Sequence, residues 1–572
     1  MALATRKAVA EKVVEALTGT GWGKPSLEQI FSSIKLQVKD GCVPQLVLQI
    51  PPLSSADDQK GFTGHLCSSF PNHEVSVSST TLAFNLSKAA FVKDTLLEIA
   101  APRTGFANCS LLPDSLPRKR VTVDFSSPNI AKPFHVGHLR STILGNVVCN
   151  LNSLLGHQVT RINYLGDWGT QFGILSAGFE KFGKQDQLEQ NPLEHLLSVY
   201  VKANELAEGD PSFRADAMKK FQSLEAGSPD IVAEWKTVKD LSMREYTKLY
   251  KRIGISFDVI SSESDYSGDV RQLLSSLAEN SILSTREDGV RGLFVKMKDV
   301  QSFVPLAKSD GSSLYLSRDI AAVLDRKQKY NFDTAYYVVD SSQSGHFEAL
   351  TAALEAMGYE WHTAIKHVKF GRIRGMSTRK GDVVLLENLL AEAKDRAAQA
   401  MRATQTTRVT AAEAEAVADA LGIAAVFVAA LRVRRIRDTN FSWDEALHNR
   451  GNSGVSLQYA HARLCSLEEN AGIPVELDCN TALLKEKEAF ELTAQLARWD
   501  EKVLEAHSEM EPYIIVQYLF YLSHAISRAS RVLRVKGEPE DIASARLLLF
   551  NASRKVLSQG LQLLGISPLR RM

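Results

Sequence analysis

The spacing of apolar residues changes twice along the chain and divides it into three parts. In residues 1–118, helical patterns at both ends flank alternating, strand-like runs at 45–49 and 75–86, which predicts an N-terminal α/β module. In residues 119–395, short β-rich runs alternate with helical runs, a pattern typical of a Rossmann-type, doubly wound parallel sheet. Residues 396–572 show helical spacing almost throughout, which predicts a C-terminal all-α bundle.

The middle part contains four runs with strand character, at 120–125, 158–164, 334–339 and 367–370. Between the second and third of these runs, residues of about 185–300 are mostly helical in pattern and mix acidic with basic side chains. We interpret this stretch as a helical insertion into the sheet domain, with a solvated surface rather than a site.

Composition limits the kinds of site that the chain can carry but does not identify its function. The chain has 67 Lys and Arg against 66 Asp and Glu, a formal net charge of +1, so any basic surface for nucleic acid must be local. The six cysteines form no CxxC pair, which predicts free thiols and no zinc or redox motif. No apolar run predicts a membrane span. The amphipathic N-terminus contains Glu11 and Glu15, so we interpret it as a first helix rather than a targeting segment.

Residues 124–142 read DFSSPNIAKPFHVGHLRST and join a predicted strand to a predicted helix. A helix N-terminus after a strand favours phosphate, because its N–H groups are free and the helix dipole attracts anions. His135 and His138 are spaced to share one helical face and to donate to the same phosphate. Gly137 between them leaves room for a flat base. For the tetrapeptide alone, two capping or buried histidines would be the better interpretation.

The full run resembles the ATP-binding signature of class I aminoacyl-tRNA synthetases, and its SSPNIAK and LRST segments resemble arginyl-tRNA synthetases in particular. Three further blocks agree in the same order: NYLGDWGTQFG at 163–173, SLYLSRDIAAVLD at 313–325 and GVSLQYAHARLCSL at 454–467. The region 120–180 and the last thirty residues resemble most closely the mitochondrial form of animals.

The resemblance implies an arginine pocket at Tyr315, Asp319 and Gln343, with Asn129 at the substrate's α-amino group and carboxylate. An aromatic face and a carboxylate suit a guanidinium. Asp124 departs from the family pattern, which has glutamate at the contact with the substrate guanidinium. We keep Asp124 as an arginine-binding residue, with a backbone shift or a water filling the missing methylene.

A degenerate second signature, GRIRGMSTRKGD, occupies 371–382. By resemblance it closes over the ATP phosphates, with Met376, Ser377, Arg379 and Lys380 as contacts. Neither signature lysine is in place, and the family's substitute cation just before the first signature matches Lys132. Without the first signature this segment would read as a basic surface loop.

The helical bundle is expected to bind tRNA. The residues predicted to contact it are Tyr459, His461, Arg463, Arg528, Arg531 and the terminal Met572, with Arg534 extending a basic stripe every third residue. In the N-terminal module, the family's tRNA-contact segment matches 81–85, where Ala83 replaces the expected polar residue and Phe84 remains as a stacking candidate.

The resemblance implies a ligase that activates L-arginine with ATP and Mg²⁺ and transfers it to tRNA(Arg), with no membrane partner. It further implies a monomer in the mitochondrial matrix, with the cytoplasm as the alternative. One alternative function is another class I synthetase or HxGH nucleotidyltransferase, which the cationic-substrate pocket opposes. A second is a non-catalytic tRNA-binding relative, which intact His135, His138 and Lys132 oppose.

Overall fold

The computed structural model describes residues 2–18, 26–38, 43–49, 56–70, 74–78, 80–101, 112–113, 116–130, 134, 136–374, 385–403, 409–448 and 451–572. Within these ranges the chain forms an N-terminal module, a parallel-sheet domain and a helical bundle. One apolar core runs through parts of all three.

The N-terminal module is an antiparallel sheet flanked by helices. Its elements are α1 (Ala2–Thr18), α2 (Leu27–Ser33), β1 (Lys35–Gln37), β2 (Gln45–Gln49), α3 (Ala56–Ser69), β3 (Glu74–Val77), β4 (Thr81–Asn85) and α4 (Lys88–Ala100). The strand order is β1-β2-β4-β3. The prediction that Phe84 stacks on tRNA is wrong, because this side chain is 1% exposed and packs edge-to-face on Phe70 in the module's core.

The second domain is built on a five-stranded parallel sheet. Its elements are β5 (Arg120–Asp124), α5 (Val136–Leu154), β6 (Gln158–Leu165), α6 (Thr170–Phe182), α7 (Gln185–Gln190), α8 (Pro192–Gly209), α9 (Pro211–Glu225), α10 (Pro229–Arg252), β7 (Val259–Ser262), α11 (Ser267–Glu279), β8 (Ser284–Thr285), β9 (Arg291–Met297), β10 (Val300–Ala307), α12 (Tyr315–Tyr330), β11 (Thr334–Tyr337), α13 (Ser344–Ala356), β12 (Ile365–His367) and β13 (Ile373–Arg374). The order β12-β11-β5-β6-β7, parallel at every pair, confirms the predicted doubly wound sheet.

The expected helical insertion at 185–300 is only partly correct. Helices α7 to α10 occupy its first half, but β7 returns to the edge of the main sheet and β8, β9 and β10 form a separate antiparallel sheet. Strand β7 reads Val-Ile-Ser-Ser, and its buried residues are the two serines. Its apolar pattern therefore gave no strand signal.

Among the described residues after β13, the regular elements are helices apart from one short strand. The elements are α14 (Leu386–Ala403), α15 (Ala414–Leu431), β14 (Thr439–Asn440), α16 (Trp443–Ala446), α17 (Gly454–Glu469), α18 (Lys487–Ala497), α19 (Trp499–Glu509), α20 (Tyr513–Val532) and α21 (Glu540–Leu563). This confirms the predicted bundle. Helix α15 is long and apolar enough to span a membrane by composition, but most of its apolar side chains are buried against neighbouring helices, as in a core helix.

The N-terminal module lies against the helical bundle. Helix α4 packs on α18 and α21, and the Lys555 ammonium donates to the Ala100 carbonyl at 2.5 Å. The buried Arg6 guanidinium donates to Glu501 at 3.4 Å. The N-terminal module and the C-terminal bundle, the two parts in which tRNA contacts were predicted, therefore pack against each other.

Candidate active site

Polar side chains collect at the carboxyl edge of the parallel sheet. Asp124 ends β5, Gly166 follows β6, Glu263 follows β7 and Gln343 follows β11. Because parallel strands present their carboxyl ends at the same edge, these loops face one crevice, the place where such sheets bind ligands.

The loop after β5 is held in an unusual backbone conformation. Ser126 and Ser127 both have positive φ angles, 74° and 45°, which cost free energy for residues other than glycine. Hydrogen bonds offset this cost: the Ser126 amide donates to Ser141 Oγ at 3.0 Å, and the Ser127 amide donates to Asn163 Oδ1 at 3.1 Å. The loop therefore enters the crevice in a fixed path.

Asn129 is fixed against the loop that follows β6. The Ile130 amide donates to the Gly166 carbonyl, and the Gly166 amide donates to the Pro128 carbonyl, each at 3.1 Å. A Cβ atom at Gly166 would lie 2.1 Å from Asn129 Oδ1. Glycine is therefore needed here for Asn129 to keep its place.

Asp167, which the sequence did not single out, anchors the same loop to α10 and to the end of β7. Its carboxylate accepts from the Lys239 ammonium and the Ser264 hydroxyl, both at 2.7 Å, while its carbonyl accepts from Trp235 Nε1 at 3.0 Å. The buried carboxylate is thus fully engaged within the protein, and its role is to position the loop.

The expected contact of Asp124 with a substrate guanidinium is wrong in this structure. The Arg326 guanidinium donates to Asp124 Oδ2 at 2.7 Å, and the Ser127 hydroxyl donates to Oδ1 at 2.8 Å. Both side chains of the ion pair are almost fully buried. The Arg326 guanidinium also lies 4.9 Å from the ring centre of Tyr164. Asp124, which is one methylene shorter than the family's glutamate, thus pairs with an arginine of the protein itself.

Helix α12 presents Tyr315 and Asp319 at the crevice. Asp319 Oδ2 is 2.6 Å from His346 Nε2 on α13, and its side chain is 30% exposed, so the other carboxylate oxygen is available to a ligand. Tyr315 is 53% exposed, with the Arg318 guanidinium 4.9 Å from its ring centre. The structure thus offers an aromatic face and a carboxylate, as predicted for a guanidinium pocket.

Glu263 is a second acidic group that sequence reasoning missed. Burial raises the pKa of Glu263 to about 7, although the charge of Arg318 opposes this rise. The two side chains form an ion pair at 3.4 Å, and Asp319 also influences the Glu263 pKa. Its place directly after β7 was the available signal, but β7 itself was not predicted.

The phosphate side of the crevice is partly described. His138 and Gly137 lie in the first turn of α5, as predicted, and the His138 ring packs 5.2 Å from that of Phe134. Lys132 and His135 lie outside the described residues, as do Met376, Ser377, Arg379 and Lys380. The N-terminus of α5 therefore lies after β5 at the carboxyl edge of the sheet, with His138 in its first turn.

Comparison with known proteins decides the family. Residues 107–443 match the model "tRNA synthetases class I (R), catalytic domain", and 457–572 match "DALR anticodon binding domain". The chain belongs to the arginyl-tRNA synthetases of class I. It therefore has the activity of an arginine–tRNA ligase, with ATP as a substrate.

Several relatives of this arginyl-tRNA synthetase are similar over most of their length. The probable mitochondrial arginine–tRNA ligase of Mus musculus is 44% identical over 501 residues, covering 87% of this chain and 86% of the relative. The cytoplasmic enzyme of Saccharomyces cerevisiae is 38% identical, with 87% and 83% covered. The Thermus thermophilus arginyl-tRNA synthetase structure shares the fold, with a TM-score of 0.80, 21% identity, and 99% and 100% coverage.

In the synthetase, the second signature is anchored to the first. Arg140 of α5 is buried and donates to the carbonyls of Gly371 at 2.5 Å and Arg437 at 2.8 Å. Strand β13, which leads into the signature, pairs with β14 of the helical part. The start of the second signature is therefore tied to both domains.

A groove of about 400 Å³ between α17 and α20 of the synthetase brings together three predicted tRNA contacts, Tyr459, Arg463 and Arg531. Tyr459 is half exposed. Arg528 is exposed and pairs with Glu491 at 3.7 Å, and α20 ends at Val532, so Arg534 does not continue the stripe on that helix.

The prediction that His461 contacts tRNA is wrong in this structure. His461 is 3% exposed, and its Nδ1 lies 2.8 Å from the Leu569 carbonyl. The Gln458 side chain also donates to the Ser567 carbonyl at 2.8 Å. These residues hold the C-terminal segment against α17, which places Met572 against the apolar cluster of α15 and α17.

Proposed function

We propose that the arginine side chain binds between Tyr315 and Asp319, with Glu263 as the second acidic group. The observation that supports this most directly is the partly exposed Asp319 carboxylate beside the exposed Tyr315 ring at the carboxyl edge of the sheet. Gln343 would complete the pocket, and Asn129 would face the substrate's α-amino group and carboxylate, since both residues follow strands at that edge.

In the reaction we propose, the arginine carboxylate oxygen attacks the α-phosphorus of ATP. A carboxylate–phosphorus bond forms and the bond to the β-phosphate oxygen breaks, which releases pyrophosphate. His138, with His135, would donate hydrogen bonds to the phosphate oxygens as negative charge builds up. Lys132, Arg379 and Lys380 would hold the outer phosphates. The 3′-terminal ribose hydroxyl of tRNA(Arg) then takes the arginyl group and AMP leaves.

Mg²⁺ fits this scheme as a partner of ATP rather than of the protein. Across the described parts of the chain, no cluster of three His, Cys, Asp or Glu residues is arranged to hold a metal. The ion would therefore arrive on the nucleotide and neutralise phosphate charge there.

We propose that the groove between α17 and α20 binds the anticodon loop. Exposed Tyr459 supplies a face for base stacking, and Arg463 and Arg531 supply positive charge in the same groove.

We also propose that the enzyme works in the mitochondrial matrix, which the mitochondrial names of similar animal enzymes support. We propose a monomer as the active form.

The experiment that tests the pocket is arginine-dependent ATP–pyrophosphate exchange, with and without tRNA(Arg). Asp319→Asn removes the charge but keeps the shape, so we expect exchange to fall by about 100-fold or more through the Michaelis constant for arginine. His138→Ala is the control for the phosphate side, where the loss should appear in kcat. Normal arginine use by Asp319→Asn would refute the proposed pocket.

A further inference from the structure

The two carboxylates of the proposed arginine pocket, Asp319 and Glu263, and the buried Asp124 beneath it each have a basic partner within the protein. The three pairs are Asp124 with Arg326 at 2.7 Å, Glu263 with Arg318 at 3.4 Å and Asp319 with His346 at 2.6 Å. A guanidinium keeps its charge at every physiological pH, whereas an imidazole can lose its proton. Only the third pair can therefore change its net charge by deprotonation of its basic member.

We propose that binding of the arginine side chain at Asp319 is coupled to release of a proton from His346. The proposal rests on the proposed role of Asp319 in binding the substrate guanidinium. When the substrate cation arrives, the imidazolium gives one proton to solvent and keeps the N–H that donates from Nε2 to Asp319. The pocket loses the charge of the imidazolium and gains that of the substrate guanidinium, while the hydrogen bond from Nε2 keeps Asp319 oriented.

The surroundings of His346 support this assignment. Burial lowers the pKa of His346, but its hydrogen bond to Asp319 and the charge of that group outweigh burial and leave this pKa above its ordinary value. Other titratable groups near α13 have partners of their own: Lys298 with Glu348, His362 with the Tyr359 carbonyl, His367 with the Val339 carbonyl, and Asp340 with Arg372.

The coupling has a definite sign. Above the pKa of His346 the imidazole is neutral, Asp319 is uncompensated and arginine binds at full strength. Below that pKa the protonated ring must first lose its proton, so the affinity for arginine falls by up to about tenfold per pH unit. A purely structural histidine would contribute nothing to this pH dependence, and any dependence that remained would come from Glu263.

The test is calorimetric titration of the full-length protein with L-arginine in PIPES and in Tris, between about pH 6 and 8. The difference in heat between buffers gives the number of protons exchanged. We expect net release of up to one proton per arginine, increasing towards lower pH. His346→Gln keeps an amide donor to Asp319 but cannot titrate, so it should remove the release and flatten the pH dependence of the dissociation constant.

Glu263 is the competing source of a proton, and Glu263→Gln is the matched control. Release that persists in Glu263→Gln and disappears in His346→Gln supports the proposal. No release by the wild type, or equal release by His346→Gln, overturns it. If circular dichroism shows that His346→Gln does not fold, the wild type and Glu263→Gln still test the proposal. Proton release that is lost in Glu263→Gln also overturns it. Wild-type affinity in Asp319→Asn would instead overturn the pocket itself.

Discussion

Arg326 places a permanent positive charge beneath Tyr164, and Asp124 is the carboxylate that compensates it. Two further rings, Tyr337 and Tyr266, also lie close to this guanidinium. Tyr337 accepts a hydrogen bond from it at 3.2 Å. The negative charge of either tyrosinate would raise the pKa of Arg326. The pair therefore forms part of the floor of the pocket. Removing one member leaves the other charged and buried, which costs more than removing both.

Asp124→Asn or Arg326→Met should each lower the unfolding temperature strongly, by the equivalent of about 3–5 kcal/mol. The double variant should lose less than the sum, as measured by thermal unfolding of all four proteins. We expect the folded double variant to bind arginine within a few-fold of the wild type. A loss of two orders of magnitude in a folded double variant would show that Asp124 does meet the substrate.

At the scale of elements, α12 collects much of the pocket because of its helical spacing. Tyr315, Arg318, Asp319 and Arg326 follow one another at intervals that keep them near one side of the helix. Helix α17 plays a similar role for the tRNA groove with Tyr459 and Arg463. Its position depends on Gly454, where a Cβ atom would lie 2.0 Å from the Ala424 carbonyl oxygen of α15.

Gly454→Ala should push α17 away from α15, because the clash is with backbone that cannot rotate aside. We expect a loss of about 2–4 kcal/mol and weaker binding of tRNA(Arg), measured by thermal unfolding and filter binding. Gly64→Ala is the matched control, since Gly64 lies in α3 with nothing within 4 Å of the added Cβ. Equal stability and equal tRNA binding of the two variants would contradict the close contact between α17 and α15.

At the scale of the whole molecule, a buried histidine, His157, and a half-buried one, His507, mark the contact between the sheet domain and the bundle. His157 and His507 have ring centres 5.8 Å apart. Burial lowers the pKa of His157 to about 4 and that of His507 to about 3. The folded protein therefore keeps both neutral, while the unfolded chain takes up protons as the pH falls below 6.5.

It follows that stability present above pH 6.5 is lost as the pH falls towards about 4. Between pH 7 and 5 the two groups should together cost about 2–4 kcal/mol. Thermal unfolding across this range measures the loss, and the double variant His157→Gln, His507→Gln should show a shallower decline. An unchanged slope would mean that other groups set the acid sensitivity.

The sequence predicts this molecule best where elements are long. The helix after the first predicted strand, α5, and the helices of the bundle such as α21 were predicted because their apolar spacing extends over many turns. Strands β7 and β8 were missed because four and two residues are too few for a pattern. Strands β9 and β10 are seven and eight residues long and were also missed, at the end of the stretch interpreted as helical. The pocket members Tyr315 and Asp319 came from the resemblance. Asp124 also came from the resemblance, but its pairing with Arg326 did not, because the two residues are 202 positions apart and only the fold joins them.

The same pocket chemistry affects how the protein's stability can be measured. Guanidinium chloride supplies at high concentration the planar cation that we propose Tyr315 and Asp319 to bind. We therefore expect that denaturant to act first as a ligand of the native state and only then as a solvent for the unfolded chain. Urea is uncharged and lacks the first effect, so unfolding curves of this enzyme are best interpreted from urea.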